Sequence, residues 1–148
     1  MKVSTKGRYG LRAMVDLAVH SSETHVSLVS IATRQKISLN YLEQVFSSLR
    51  KSGLVKSIKG SQGGYSLSKP ARDTKISEIL TVLEGEFSIV DEGIYEGSEA
   101  DHIRMAVKEL LWDKINANVI KLLEETTLED LADEYRRLNN EFPEMYYI

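Results

Sequence analysis

The hydrophobic period of this chain switches from helical to alternating at Val55 and returns to helical by Ile76. That switch limits the folds open to it more than any other feature. Ahead of it, Leu11, Met14, Val15 and Ala18 recur at helical spacing and predict an amphipathic helix from about Arg8 to His20. Ser21, Ser22, Glu23, Thr24 and His25 form a polar connection. Ser27 is placed to cap a short second helix that carries Leu28, Ile31 and Ala32 inward. After a tight link from Arg34 to Ser38, the Ser38 hydroxyl can cap a third helix running to about Ser52, with Leu42, Val45, Phe46 and Leu49 on one face. Val55 to Lys59 alternates imperfectly, Gly60-Ser61-Gln62-Gly63-Gly64 is turn chemistry, and Tyr65 to Ser68 reads as a return strand. Helix, short helix, helix and hairpin, in that order, predict a winged helix-turn-helix over residues 1–85.

A fourth helix is expected from Ile76 to Glu84, burying Ile76, Ile79, Leu80 and Leu83 and stopping at Gly85. Residues 86–100 read as an acidic, glycine-bearing loop. The longest helical pattern runs from about Asp101 to Glu124, with Ile103, Val107, Leu111, Ile115, Val119 and Leu122 spaced mostly by four. Leu110, Trp112, Ile120 and Leu123 widen this stripe beyond what one small domain covers, which predicts a dimerisation helix. The alternative is packing against its own domain alone. Thr127 and Asp130 have capping-box spacing and open a last short helix with Leu128, Leu131 and Tyr135, expected to end at Asn139-Asn140. Residues 101–148 thus form a dimerisation helix, a short helix and a tail. The fold class expected is mainly α with a small β-hairpin wing.

Charge is segregated along the chain. The net charge is −3, yet residues 1–75 hold 13 Lys and Arg against 4 Asp and Glu, whereas residues 76–148 hold 6 against 18. A basic half suits a polyanion and an acidic half suits solvent or protein. The chain has no cysteine, which excludes disulfides, thiolate catalysis and cysteine-ligated metal. No stretch has the roughly 20 apolar residues of a bilayer span, and the first residues do not resemble a signal peptide. A cytoplasmic protein is expected.

The N-terminal end of the second helix of a helix-turn-helix enters the major groove. Here that end is Leu39 to Gln44 behind the cap Ser38, itself a candidate DNA contact, and Asn40, Tyr41, Glu43 and Gln44 are turned outward because Leu42 belongs to the core face. Asn and Gln match an adenine edge, Glu accepts from a cytosine amine, and Tyr can bond a phosphate. A solvated polar face is the plainer alternative. The hairpin adds Lys56 and Lys59 leading into Gly60, Ser61, Gly63 and Gly64, a basic tip suited to the minor groove. Its glycines permit a tight turn and would let backbone N–H groups approach phosphates. The spacing is not that of a nucleotide phosphate loop. Ser48-x-x-Lys51 and Ser66-x-x-Lys69 match a hydrolase pattern by letter only. His20, His25 and His102 share no ligand-like spacing. No enzyme activity, metal or cofactor is expected.

Ser4-Thr5-Lys6-Gly7-Arg8-Tyr9-Gly10-Leu11, Ile37-Ser38-Leu39-Asn40-Tyr41-Leu42-Glu43-Gln44, Leu49-Arg50-Lys51-Ser52-Gly53-Leu54-Val55 and Lys59-Gly60-x-x-Gly63-Gly64-Tyr65 resemble the bacterial IscR/NsrR/CymR family of winged-helix transcription regulators. The resemblance covers roughly residues 2–85. It implies a homodimer bound to a pseudo-palindromic operator of double-stranded DNA, usually as a repressor. Tyr41, Glu43 and Gln44 would lie in or beside the major groove and Lys59 in the minor groove, where many relatives carry Arg. Cluster-binding members hold iron–sulfur clusters with three cysteines in the loop before the long helix, and this chain has none there. The missing cysteines and the tail Met145-Tyr146-Tyr147-Ile148 resemble the CymR branch. That branch represses genes of cysteine and sulfur metabolism together with cysteine synthase. The resemblance places Ile148 in the synthase active site with Tyr146 and Tyr147 at its mouth, whereas the residues alone favour a tail packed on the dimer.

Overall fold

A computed structural model of the chain describes residues 3–21, 24–90, 92 and 97–141. Helix α1 (Thr5–His20) starts ahead of the predicted Arg8, because two groups cap it: Ser4 Oγ accepts from the Gly7 N–H, and Glu84 Oε1 accepts from the Ser4 and Gly7 N–H groups at 2.9 and 3.0 Å. The carboxylate meets the positive end of the helix, and it comes from the last residue of α4 (Ile76–Glu84). Helices α2 (Leu28–Gln35) and α3 (Leu39–Lys51) are capped by Ser27 and Ser38, as their sequence positions predict. Strands β1 (Val55–Ile58) and β2 (Gly64–Leu67) pair antiparallel, Val55 opposite Leu67 and Ile58 opposite Gly64. A turn of 3₁₀ helix, Ala71–Asp73, leads to α4.

The long helical pattern is a continuous rod over residues 99–125, made of α5 (Glu99–Val107), a wider π turn at Lys108–Trp112, and α6 (Asp113–Glu125). Ser98 and Asp101 form a reciprocal capping box at its start. Helix α7 (Leu128–Glu141) opens with the expected pair, Thr127 and Asp130 each accepting the other's N–H at 3.1 and 2.9 Å. It does not stop at Asn139-Asn140 but runs through both. Weak helix formers at a surface end cost only tenths of a kcal/mol each, and Glu141 extends the helix by pairing with Arg137.

One core joins these pieces. Met14 and Leu17 of α1, Ile31 of α2, Leu42, Val45, Phe46 and Leu49 of α3 and Ile79 of α4 are all buried in it. Leu128 and Ala132 of α7 are also fully buried, and α7 packs on α1. The last helix therefore closes the core of the N-terminal unit, although the sequence groups it with the dimerisation arm. Backbone bonds from Ile76 N to Thr126 O (2.9 Å) and from Leu128 N to Thr74 O (2.8 Å) tie the entrances of α4 and α7 together.

The rod packs α6 on α4, which covers only part of its apolar stripe. Ile103, Val107, Leu111 and Leu122 are exposed, and Ile115 and Val119 are half-buried. Ile103, Leu110 and Leu122 are 63%, 69% and 62% exposed, too open for residues whose burial is worth about 2 kcal/mol each. Among the described residues no helix is long and apolar enough to cross a membrane. The tail residues Met145, Tyr146, Tyr147 and Ile148 lie outside the described residues.

Candidate nucleic-acid interface

The turn between α2 and α3 is made by Lys36, which adopts the left-handed conformation (φ 56°, ψ 47°) and lets Ile37 drop into the core. Ser38 Oγ then accepts from the Tyr41 N–H at 3.2 Å and fixes where α3 begins. Burial of Leu42, Val45, Phe46 and Leu49 sets the rotation of α3, so Asn40, Glu43 and Gln44 emerge together into solvent in its first two turns. Tyr41 does not: it is half-buried, edge-on to the Tyr9 ring at 6.1 Å and 76°. The Arg12 guanidinium lies 5.1 Å from the Tyr9 centroid, a cation–π contact. A cation and two tyrosines therefore brace the start of α3 from α1, a role the outward reading of Tyr41 leaves out. The spacing of Arg8, Tyr9 and Arg12 carries that signal in the sequence.

The wing is fixed by backbone contacts. Val26 adds a one-residue third strand, its N–H donating to Tyr65 O at 2.9 Å and its carbonyl accepting from the Tyr65 N–H at 2.8 Å. Tyr65 in turn packs edge-on to Phe46, 5.0 Å between centroids. Arg50 of α3 reaches Ser57 of β1 at 3.5 Å. The tip from Lys59 to Gln62 is exposed, as is Lys56 on β1. Its glycines have steric reasons. Gly60 sits at φ +115°, a Cβ on Gly63 would lie 2.0 Å from Ile58 O, and one on Gly64 would lie 2.5 Å from Val26 O. Gly63 and Gly64 are needed for close backbone approach within the protein, so phosphate access is not required to explain them.

The two halves treat their cations differently. In the acidic half, five of the six cations, Arg104, Lys108, Lys121, Arg136 and Arg137, pair with a carboxylate, Lys114 being the exception among the described residues. In the basic half, Arg34 pairs with Asp16 and Lys69 with Glu78. Lys36, Arg50, Lys51, Lys56 and Lys59 have no carboxylate partner among the described residues and are all exposed. The uncompensated cations thus lie ahead of α3 (Lys36), in its last turn (Arg50 and Lys51) and on the hairpin (Lys56 and Lys59), a distribution compatible with a phosphate backbone.

Behind this surface, Asp16 of α1 is buried and fully used. Arg34 grips it with two bonds, Nε to Oδ2 at 2.9 Å and Nη2 to Oδ1 at 2.7 Å, and Gln35 Nε2 donates to Oδ2 at 2.9 Å. The Asp16 hydrogen bond raises the Arg34 pKa above its ordinary value. Arg12 donates to the Gln35 carbonyl. The pair locks the end of α2 to α1 and sets the angle at which α3 is offered.

Residues 3–134 match the Rrf2 model, described as "Iron-dependent Transcriptional regulator". The chain belongs to the Rrf2 family. It is similar to the HTH-type transcriptional regulator CymR of Bacillus subtilis, 46% identical over 132 residues that cover 89% of this chain and 90% of that one. It is 40% identical to the HTH-type transcriptional regulator IscR of Cereibacter sphaeroides over 134 residues, 88% of this chain and 86% of that one. The solved structure of the B. subtilis CymR, called the global cysteine regulator of that organism, superposes with a TM-score of 0.78 at 45% identity, covering 90% of this chain and 98% of that one. The fold is the winged helix-turn-helix the sequence predicts. The protein is a transcription regulator that acts through DNA, not an enzyme.

The family description names iron, and an iron–sulfur cluster held by thiolates does not fit the residues of this chain. Thiolates hold clusters of that kind, and the chain has no cysteine. Among the described residues no three His, Asp or Glu side chains are grouped to hold a metal ion. The described part of the loop is instead fastened by Asn116, whose Oδ1 accepts from the Ile89 N–H at 2.7 Å, and by Arg104, which reaches Glu92 at 3.4 Å.

Proposed function

We propose that the protein is a homodimeric repressor of cysteine and sulfur metabolism genes that binds a pseudo-palindromic operator without a metal cluster. The observation that carries the DNA reading is the joint exposure of Asn40, Glu43 and Gln44 on α3 beside the unpaired Lys56 and Lys59 of the wing. In this reading α3 lies in the major groove, with Ser38 and Tyr41 at its edge. The tip residues Lys59, Gly60, Ser61, Gly63 and Gly64 enter the adjacent minor groove. Two copies are supplied by the rod, whose exposed Ile103, Val107, Leu111 and Leu122 need a second surface. Ile115 and Val119 continue the same stripe. A twofold axis through the rod gives two α3 helices and hence two half-sites.

The regulon follows from likeness to the B. subtilis regulator and from the tail. Met145, Tyr146, Tyr147 and Ile148 make an aromatic and aliphatic segment, chemistry suited to a short peptide ligand that docks in a partner's groove. Cysteine synthase is the proposed partner. Fluorescence anisotropy on genomic fragments, at two salt concentrations, tests the first part: one class of palindrome should bind far more tightly than bulk DNA. Equal affinity for all fragments refutes it. A pull-down with purified cysteine synthase, using the full chain and a variant lacking residues 145–148, tests the second: only the full chain should be retained.

A further inference from the structure

Among the described residues, the large apolar side chains left exposed fall on the rod and α7, save three: Val29 of α2, Leu39 of α3 and Ile58 of β1. All three belong to the helix-turn-helix and its wing. Successive residues of a strand face opposite ways, so buried Val55 and half-buried Ser57 point inward while Lys56 and Ile58 share the outer face of the wing. Ile58 is 49% exposed there. Its partner across the hairpin is Gly64, which cannot carry a side chain because a Cβ would lie 2.5 Å from the Val26 carbonyl oxygen. Ile58 therefore lacks the cross-strand side-chain pair that normally stabilises a strand residue. Threonine, also β-branched, would suit the strand as well. The fold gains little from an isoleucine here.

The surroundings of Ile58 say what it meets. Lys56 lies two residues before it on the same face and Lys59 follows it at the tip, both exposed and without a carboxylate partner among the described residues. Residues 55–68 contain no Asp or Glu. An apolar side chain between cations suits a surface that is apolar at its centre and anionic at its borders. The minor groove of duplex DNA is such a surface, with deoxyribose walls edged by phosphates. We propose that Ile58 packs on the sugar walls of the minor groove that the wing enters, and supplies affinity that does not depend on salt. This role rests on the DNA reading above and adds to it a residue and a kind of contact. A guanine amino group stands in that groove where A·T pairs offer only acceptors, so an apolar side chain seated there also disfavours G·C pairs beneath the wing.

Fluorescence anisotropy of the full chain on its tightest-binding genomic fragment, at several salt concentrations, tests this. Ile58→Thr keeps the β-branch and removes apolar surface, so the urea midpoint should stay at the wild-type value. Affinity should fall about tenfold for the two wings of the proposed dimer, by the same factor at every salt concentration. Ile58→Val has the shape of threonine but stays apolar, and should bind more tightly than Ile58→Thr throughout. Lys59→Ala provides the contrast, because loss of a cation changes the salt slope. The same fragment copied with 2,6-diaminopurine in place of adenine carries an extra amino group in the minor groove of every A·T pair, with the major-groove edges unchanged. That substitution should weaken wild type about threefold more than it weakens Ile58→Thr. Undiminished affinity of Ile58→Thr, a loss that varies with salt, a loss accompanied by a lower urea midpoint, equal affinities of the Val and Thr variants, or equal weakening of both proteins on diaminopurine DNA overturns the role. A smaller sedimenting assembly for Ile58→Thr assigns the face to a second copy and overturns it too. Wild type that binds no fragment more tightly than bulk DNA refutes the DNA reading itself, before Ile58 comes into question.

Discussion

Gly64→Ala is the sharpest probe of how the wing is held. A Cβ at this position would lie 2.5 Å from the Val26 carbonyl oxygen and 2.7 Å from its carbon. Both are backbone atoms, so no side-chain rotation relieves the contact. Reaching an ordinary separation of 3.4 Å requires a shift of about 0.9 Å between Val26 and β2. The bonds of 2.9 and 2.8 Å between Val26 and Tyr65 then stretch beyond useful length. Two backbone bonds at about 0.5–1.5 kcal/mol each make about 1–3 kcal/mol. Alanine's smaller unfolded-state entropy returns about 0.4–1 kcal/mol. A net loss of about 1–2 kcal/mol should appear in urea unfolding, as a lower midpoint with an unchanged slope. Because the displaced wing carries Lys56 and Lys59, operator affinity should fall about tenfold, the equivalent of 1.4 kcal/mol. Ser61→Ala, at the exposed tip, should leave stability within about 0.5 kcal/mol of wild type. A Gly64→Ala protein with wild-type urea midpoint and wild-type affinity would refute the close approach and the rigidity argued from it.

Three further perturbations separate the other claims. Lys59→Ala removes two minor-groove cations from the proposed dimer, so the slope of log affinity against log salt should become shallower by up to about 1.8; titrations at several salt concentrations measure it, and an unchanged slope removes Lys59 from the interface. Asp16→Ala strands the Arg34 guanidinium and the Gln35 amide, a change that costs about 3–5 kcal/mol when the partner is sealed. Arg34 is 35% exposed, so water compensates in part and about 2 kcal/mol is expected from denaturant melts. The raised Arg34 pKa means its share is complete below the ordinary arginine range and fades only as pH climbs through the raised value. The gap between wild type and variant should therefore be the same at neutral and mildly alkaline pH. Leu110→Glu sets like charges on the exposed stripe; sedimentation should show monomer with the helical signal intact, and a dimer of unchanged stability would place the interface elsewhere.

The sequence makes the order of elements legible because hydrophobic period and capping residues act locally. Ser27, Ser38 and Thr127 cap the helices their positions predict, and Gly85 ends α4. What it leaves hidden is long-range. Nothing local says that Glu84 caps α1 across the fold, or that this moves the start of α1 to Thr5. Val26 sits at the edge of a polar connection, and its role as a third strand depends on Tyr65 far along the chain. The wing glycines illustrate the same limit. A glycine-rich tip beside lysines invites a phosphate explanation, yet Gly64 is explained by one carbonyl of Val26. Outward positions on α3 were recoverable for Asn40, Glu43 and Gln44, which depend only on helical period. Tyr41 was not, because its burial depends on Tyr9 of another helix.

The packing of α4 shows how the proposed DNA contact at one end and the proposed pairing at the other would form a single device. Helix α4 touches α1 and α3 on one side and α6 on the other, and its Ile79 and Leu83 belong to the same core as Leu42 and Leu49. Recognition helix and rod are thus joined through packed side chains, not only through the segment between α4 and α5. In the proposed dimer, the separation of the two α3 helices must approximate one helical turn of DNA, about 34–36 Å. A packed core is stiff, so that separation is set by how α6 sits on α4 and by how Asp16 and Arg34 hold α2 against α1. Small displacements at either contact are magnified over the distance to the wing tips. Control of DNA affinity therefore needs no metal: a ligand or partner protein that prefers one seating of α1, α4 or α6 changes the half-site spacing the dimer can match, by as much as its own affinity differs between the two seatings.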